Sequence, residues 1–122
     1  MKTPEQLKGS IRSMAEKYET IIRRNIGTTR ARDYYDLHIL YKSRKNEVRL
    51  PILKAAVEHT AKKRNSLEDM VDWQDILREI REEPHMYLLW DNYLKKNKYI
   101  GELKLHEVLD TADEIARLLD LH

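Results

Sequence analysis

Apolar residues recur along this chain at intervals of three and four, the spacing that lines up side chains on one face of an α-helix. With only three glycines and three prolines to interrupt that rhythm, an all-α fold is predicted. The first helix opens with Thr3 as N-cap and Pro4 at the first helical position, and Gln6 completes an approximate capping box. Leu7, Ile11, Met14, Tyr18, Ile21 and Ile22 form its apolar stripe, Gly9 is its weak point, and Gly27 is expected to end it. Unbroken, it spans about 30 Å at ~1.5 Å per residue, long enough to cross a small domain.

The second predicted helix starts from a Thr28 or Thr29 cap and runs to about Lys42, with Tyr34, Leu37, Leu40 and Tyr41 turned inward. A charged loop, Ser43 to Arg49, leads to Pro51 and a third helix carrying Leu53, Ala56, Val57 and Thr60. Asn65 and Ser66 close it and cap a fourth, which continues from Leu67 through Val71, Trp73, Ile76, Leu77 and Ile80. Pro84 starts a fifth with Met86, Leu89, Trp90, Tyr93 and Leu94, broken by Asn97 and Gly101. Leu105, Val108, Leu109, Ala112, Ile115, Ala116, Leu118 and Leu119 give the last helix a broad apolar face. The pattern predicts a compact bundle of five to six helices with a long first one, forming a single domain over residues 1–122.

Composition narrows the function more than the fold. Charged residues make up 36% of the chain but nearly cancel, to +2, so a salt-bridge-rich surface is expected rather than a strong field for nucleic acid or membrane. Cysteine is absent, which excludes disulfides and thiolate metal sites. No apolar run approaches a membrane span and the start is polar, so the chain is read as cytoplasmic. His38, His59, His85, His106 and His122 are never three or four apart, which leaves no helical metal pair and no predicted metal site. Lys62-Lys63-Arg64 is read as the basic end of a helix rather than a nucleic-acid patch.

One octad departs from plain amphipathicity. In Arg30-Ala31-Arg32-Asp33-Tyr34-Tyr35-Asp36-Leu37, helical phasing puts Asp33 and Asp36 on one face, with Arg30 just before them and Tyr34 and Leu37 on a neighbouring stripe. It can be an ordinary helix start with an i,i+3 ion pair, or a charged face that meets a ligand.

The octad and the upstream Glu16-Lys17-Tyr18-Glu19 and Arg23-Arg24-Asn25 resemble the R-x-K/R-D-F/Y-Y-D-L segment and E-K motif of the AbiEii/AbiGii toxin family of nucleotidyltransferases. The similarity continues through Thr60-Ala61-Lys62-Lys63-Arg64, Trp90-Asp91-Asn92-Tyr93 and Glu107-Val108-Leu109, so residues 15–122 resemble that family's C-terminal helical half. Thr3 to Arg12 resembles the family's first helix, which full-length members separate from the E-K motif by a whole catalytic domain.

The resemblance implies roles for particular side chains: Lys17, Arg30 and Arg32 in nucleotide binding, Asp33 and Asp36 in the active site. It also implies what is missing. The family's triphosphate turn needs Gly-Gly-Ser or Gly-Ser and its magnesium pair needs D-x-D. Here no glycine adjoins another glycine, the one Gly-Ser step, Gly9-Ser10, falls within the predicted first helix, and no two acidic residues are separated by a single residue. Phosphoryl and nucleotidyl transfer depend on positioned charge and metal, so catalysis by this chain alone is not expected, and no cofactor is required. Magnesium and a nucleoside triphosphate enter only if a half-site is retained, and exposed cationic contacts of about 1 kcal/mol each predict millimolar affinity at best. Two classes follow: a helical interaction module whose partner is a toxin or antitoxin protein, or a fragment that regains transfer with a partner chain. Surface uncovered by the absent domain predicts a homodimer built on the first helix and the Tyr34 to Tyr41 face.

Overall fold

Long helical stretches are what the apolar spacing demands, and a computed structural model of the chain shows them, describing the backbone of residues 4–27 and 30–121 and the side chains from residue 9 onward within those limits. Seven α-helices and no strand occur among the described residues: α1 (Pro4–Arg24), α2 (Ala31–Arg44), α3 (Leu50–Lys63), α4 (Leu67–Val71), α5 (Trp73–Glu82), α6 (Pro84–Lys96) and α7 (Leu105–Leu119). Single 3-10 turns follow α1 at Asn25–Gly27 and α6 at Lys98–Ile100.

α1 is the spine. It buries Ile11, Met14, Ala15, Tyr18, Ile21 and Ile22, the stripe that its spacing marks, and packs against α3 and α2, with α4 and α5 at its far end. α7 closes the bundle on α2 and α5, bringing Leu105, Val108, Leu109, Ala112, Ile115, Ala116 and Leu119 into the same core. Leu118, expected inside, is exposed, because it stands on the solvent side of a helix whose apolar face is already complete. Pro51 lies in the first turn of α3 and Pro84 opens α6, where their missing N–H groups cost nothing.

Several expectations change. The fourth predicted helix is two, α4 and α5, which raises the count from five or six to seven. Asp72 (φ −85°, ψ 16°) closes α4 with its N–H while its carbonyl starts α5, so Leu67 and Val71 face solvent and Trp73, Ile76, Leu77 and Ile80 face the core. α1 ends at Arg24, and the Asn25–Gly27 turn follows, so the helix stops before Gly27. Asn25 takes the left-handed φ of 49° that a short amide tolerates, and its Nδ2 donates to Glu79 Oε2 at 2.8 Å. Gly101, by contrast, does use its freedom, at φ 79°. Ser66 occupies the N-cap position of α4 but makes no capping bond. The caps expected from Thr3, Thr28 and Thr29 and the side chain of Leu7 lie outside the described residues, and Arg30 precedes α2 without a side-chain cap.

The face expected to pair copies is spent inside the chain. Tyr34, Leu37 and Tyr41 are buried where α2 packs on α1 and α7, so these three side chains offer no surface to a second copy in this fold. Among the described residues no helix is long and apolar enough to cross a membrane.

Candidate functional site

The α1-α2 hairpin brings Lys17, Arg30, Arg32, Asp33 and Asp36 into one charged network. Lys17, on the side of α1 turned toward α2, donates from Nζ to Asp33 Oδ1 at 3.0 Å and stands 3.4 Å from Asp36 Oδ2. Asp33 and Asp36 are one turn apart on α2, so a single ammonium can span both. Arg30 Nε is 3.6 Å from Asp33 Oδ2, and Arg32 Nε is 3.4 Å from Asp36 Oδ2. Three cations thus surround two carboxylates.

Burial separates these contacts by weight. The Asp33 side chain is only 3% exposed while that of Arg32 is 75% exposed, so the Lys17-Asp33 contact is sheltered and the Arg32-Asp36 pair lies in water. A sheltered carboxylate that loses its cation is costly, on the order of 3–5 kcal/mol, whereas an exposed pair contributes about 0–1 kcal/mol. Asp33 Oδ2 accepts no hydrogen bond, leaving Arg30 as its electrostatic neighbour. Next to it, the Tyr34 hydroxyl is buried without a partner, and burial, then the Asp33 charge, pushes its ionisation well above the usual phenol range.

An aromatic cluster borders the network. Tyr35 of α2 meets Tyr93 of α6 at 6.4 Å between ring centres and Tyr99 edge-on at 6.2 Å, and Trp90 stacks obliquely on Tyr93 at 5.6 Å. Burial chiefly raises the Tyr93 phenol, with Tyr99 and Asp36 adding to it and Arg32 opposing, which places α6 against the charged end of α2. Trp90 is fixed by donating its indole N–H to the Leu103 carbonyl at 2.8 Å.

A second charged centre lies two residues further along α1, at Glu19, and carries no mark in the apolar periodicity. Glu19 is fully buried, and it accepts from Arg23 Nε at 2.8 Å, Arg64 at 2.6 Å and Ser66 Oγ at 2.7 Å. Arg64, read from sequence as part of a basic helix end, and Ser66, read as a cap, are instead the clasp that holds the α3-α4 junction to α1. Only the i,i+4 spacing of Glu19 and Arg23 signals it in the sequence; the contacts to Arg64 and Ser66 span more than forty residues.

What can this arrangement hold? Magnesium takes near-octahedral oxygen ligands at about 2.0–2.1 Å, usually from carboxylates with open lone pairs. Asp33 and Asp36 are both engaged by cations, and among the described residues no group of three or more His, Asp or Glu side chains is placed to hold a metal ion. The residues present do not fit magnesium. His38 is tied instead to Thr111 Oγ1 at 2.7 Å, and that hydroxyl in turn donates to the Glu107 carbonyl.

The segments that carry the charged network, the clasp and the bordering aromatic cluster include the stretches Glu16-Glu19, Arg30-Leu37, Thr60-Arg64 and Trp90-Tyr93 singled out above. Comparison with curated proteins found no match, and neither did comparison with solved structures. Comparison with protein families matched residues 11–116, nearly the whole chain, to the nucleotidyl transferase AbiEii toxin of type IV toxin-antitoxin systems. The chain belongs to the AbiEii toxin family.

Proposed function

We propose that this member of a nucleotidyltransferase toxin family acts as a helical interaction module and does not transfer nucleotides on its own. The observation that carries the reading is the engagement of Asp33 and Asp36 by Lys17, Arg30 and Arg32 within the chain. Charges committed to one another are poorly placed to take a triphosphate and its metal, the one Gly-Ser step, Gly9-Ser10, lies inside α1 rather than in a turn, and the 122 residues contain no D-x-D pair. On this reading the chain keeps the family's helical half without its catalytic core, works as a single domain in the cytoplasm, and needs no cofactor. Its partners are proteins: a toxin or antitoxin of the same system, or a second copy of itself.

Incubation of the purified chain with magnesium, each labelled nucleoside triphosphate and total cellular RNA tests this. No label is expected on RNA or on the protein; transfer that disappears in a Lys17→Ala variant overturns the proposal.

A second reading has one observation in its favour. The five residues to which the family resemblance assigns roles, Lys17 of α1 and four from the Arg30 to Asp36 stretch, do meet at one place with the Arg32 guanidinium in water. In that reading the network is half of a nucleotide site, completed by a partner chain that supplies the triphosphate turn and the metal carboxylates, and transfer appears only when the two are mixed.

A further inference from the structure

We propose that the chain forms a two-fold symmetric dimer in which the α4 ridge of each copy lies in the α1-α3 groove of the other. The inference rests on the reading of the chain as an interaction module and on nothing concerning nucleotides. The groove is a cleft of about 790 Å³ floored by Ile11, Ala15 and Ala56, with Ile52 on its lip 46% exposed. Arg12 and Lys63 stand on its rim; Arg64 is committed to Glu19, and Glu16 is the one acidic residue that lines it. The ridge has the opposite character. Leu67 and Val71, one turn apart and 38% and 48% exposed, run beside the exposed Glu68 and Asp72.

Two facts point to a second copy rather than an unrelated partner. First, the charges complement each other, and within the described residues none of Arg12, Lys63, Glu68 and Asp72 is engaged in an ion pair. Second, groove and ridge occupy opposite flanks of one helix. Ile52, Ala56 and Lys63 border the groove, while Lys54, Glu58 and Lys62 on the other flank border Leu67 and Val71 across a smaller cleft of about 380 Å³. Ala55, exposed on α3, lines the groove on the side nearest that flank; a two-fold axis beside it would set each ridge against the other copy's groove at once, the self-complementarity that an isologous interface requires.

Sedimentation velocity on the full chain tests this. The wild type is expected to sediment as a dimer at micromolar concentration and to dissociate as salt rises. A groove variant, Arg12→Glu with Lys63→Glu, and a ridge variant, Glu68→Lys with Asp72→Lys, are each expected to be folded monomers by circular dichroism and sedimentation. Mixed in equal amounts they are expected to form a heterodimer, because both contacts then pair opposite charges. Should either double variant unfold, Ile52→Asp and Val71→Asp on exposed side chains give the same monomeric readout. A wild type that stays monomeric, variants that dimerise as it does, or folded variants that do not pair on mixing overturn the proposal. None of these results bears on whether nucleotide is bound, so the absence of a dimer leaves the reading of Asp33 and Asp36 standing.

Discussion

Tyr34 and the Lys17-Asp33 pair illustrate opposite ways in which a polar group can be buried in this fold. The Tyr34 hydroxyl is buried with no partner and beside a carboxylate, so it costs free energy that its ring does not need to cost. Tyr34→Phe is accordingly expected to stabilise the chain by about 1 kcal/mol in urea denaturation, with an unchanged fold; a loss of that size contradicts the absence of a partner. Lys17 is the reverse, since it is the hydrogen-bonding cation of a buried carboxylate. Lys17→Met is expected to destabilise the chain by about 3 kcal/mol, and Arg32→Ala by less than about 0.5 kcal/mol, because only the first leaves a sheltered charge poorly compensated. Equal costs in the same denaturation experiment would contradict the account. The i,i+3 spacing of Arg30 and Asp33 was legible in the sequence as a local pair. That Lys17 reaches across to both carboxylates was not, because helical periodicity says which face a residue occupies and not which helix it meets; only the family resemblance grouped them. The resemblance takes in Glu19, Arg23 and Arg64 without giving them a role, and periodicity does not show the clasp of Glu19 with Arg64 and Ser66, since it exists only once α1 and the α3-α4 junction touch.

At the scale of elements, proline and glycine gave the sharpest boundaries. Pro51, Pro84 and Gly101 stand where a helix begins or a turn needs positive φ, and α3, α6 and the break before α7 fall there. The α4-α5 break was hidden, because Asp72 interrupts a run of apolar residues without any turn residue and the two helices differ only in which way their apolar positions face. The joint between α2 and α7 carries a pH dependence. Burial lowers the proton affinity of His38 below its ordinary value near 6.5, Lys42 acts in the same direction and Glu107 opposes, while Asp110 and Glu114 face the same cleft from α7. In the folded chain the ring thus stays neutral where the unfolded chain takes up a proton. The resulting stability is complete above pH 6.5 and is lost as pH falls through that value toward the folded pKa. His38→Gln is expected to flatten the slope of urea stability against pH between about 7 and 5; an unchanged slope places the acid sensitivity elsewhere.

For the molecule as a whole, the charged network and the clasp do the same thing at two points along α1: they fix one long helix against α2 and against the α3-α4 junction, around a shared apolar core. The sequence features that mark the family here are, in this reading, the ones that hold the helical half together, while the chemistry of transfer needs a D-x-D pair, which the 122 residues lack, and a Gly-Ser turn, whose only counterpart, Gly9-Ser10, is helical. Amide NMR of the isotopically labelled chain, titrated with magnesium and each of the four common nucleoside triphosphates, tests that claim most directly. The account predicts no saturable shift at Lys17, Arg30 or Asp33 below millimolar nucleotide. Saturation at micromolar concentration, centred on those residues, would contradict it and make the network a working half of a nucleotide site.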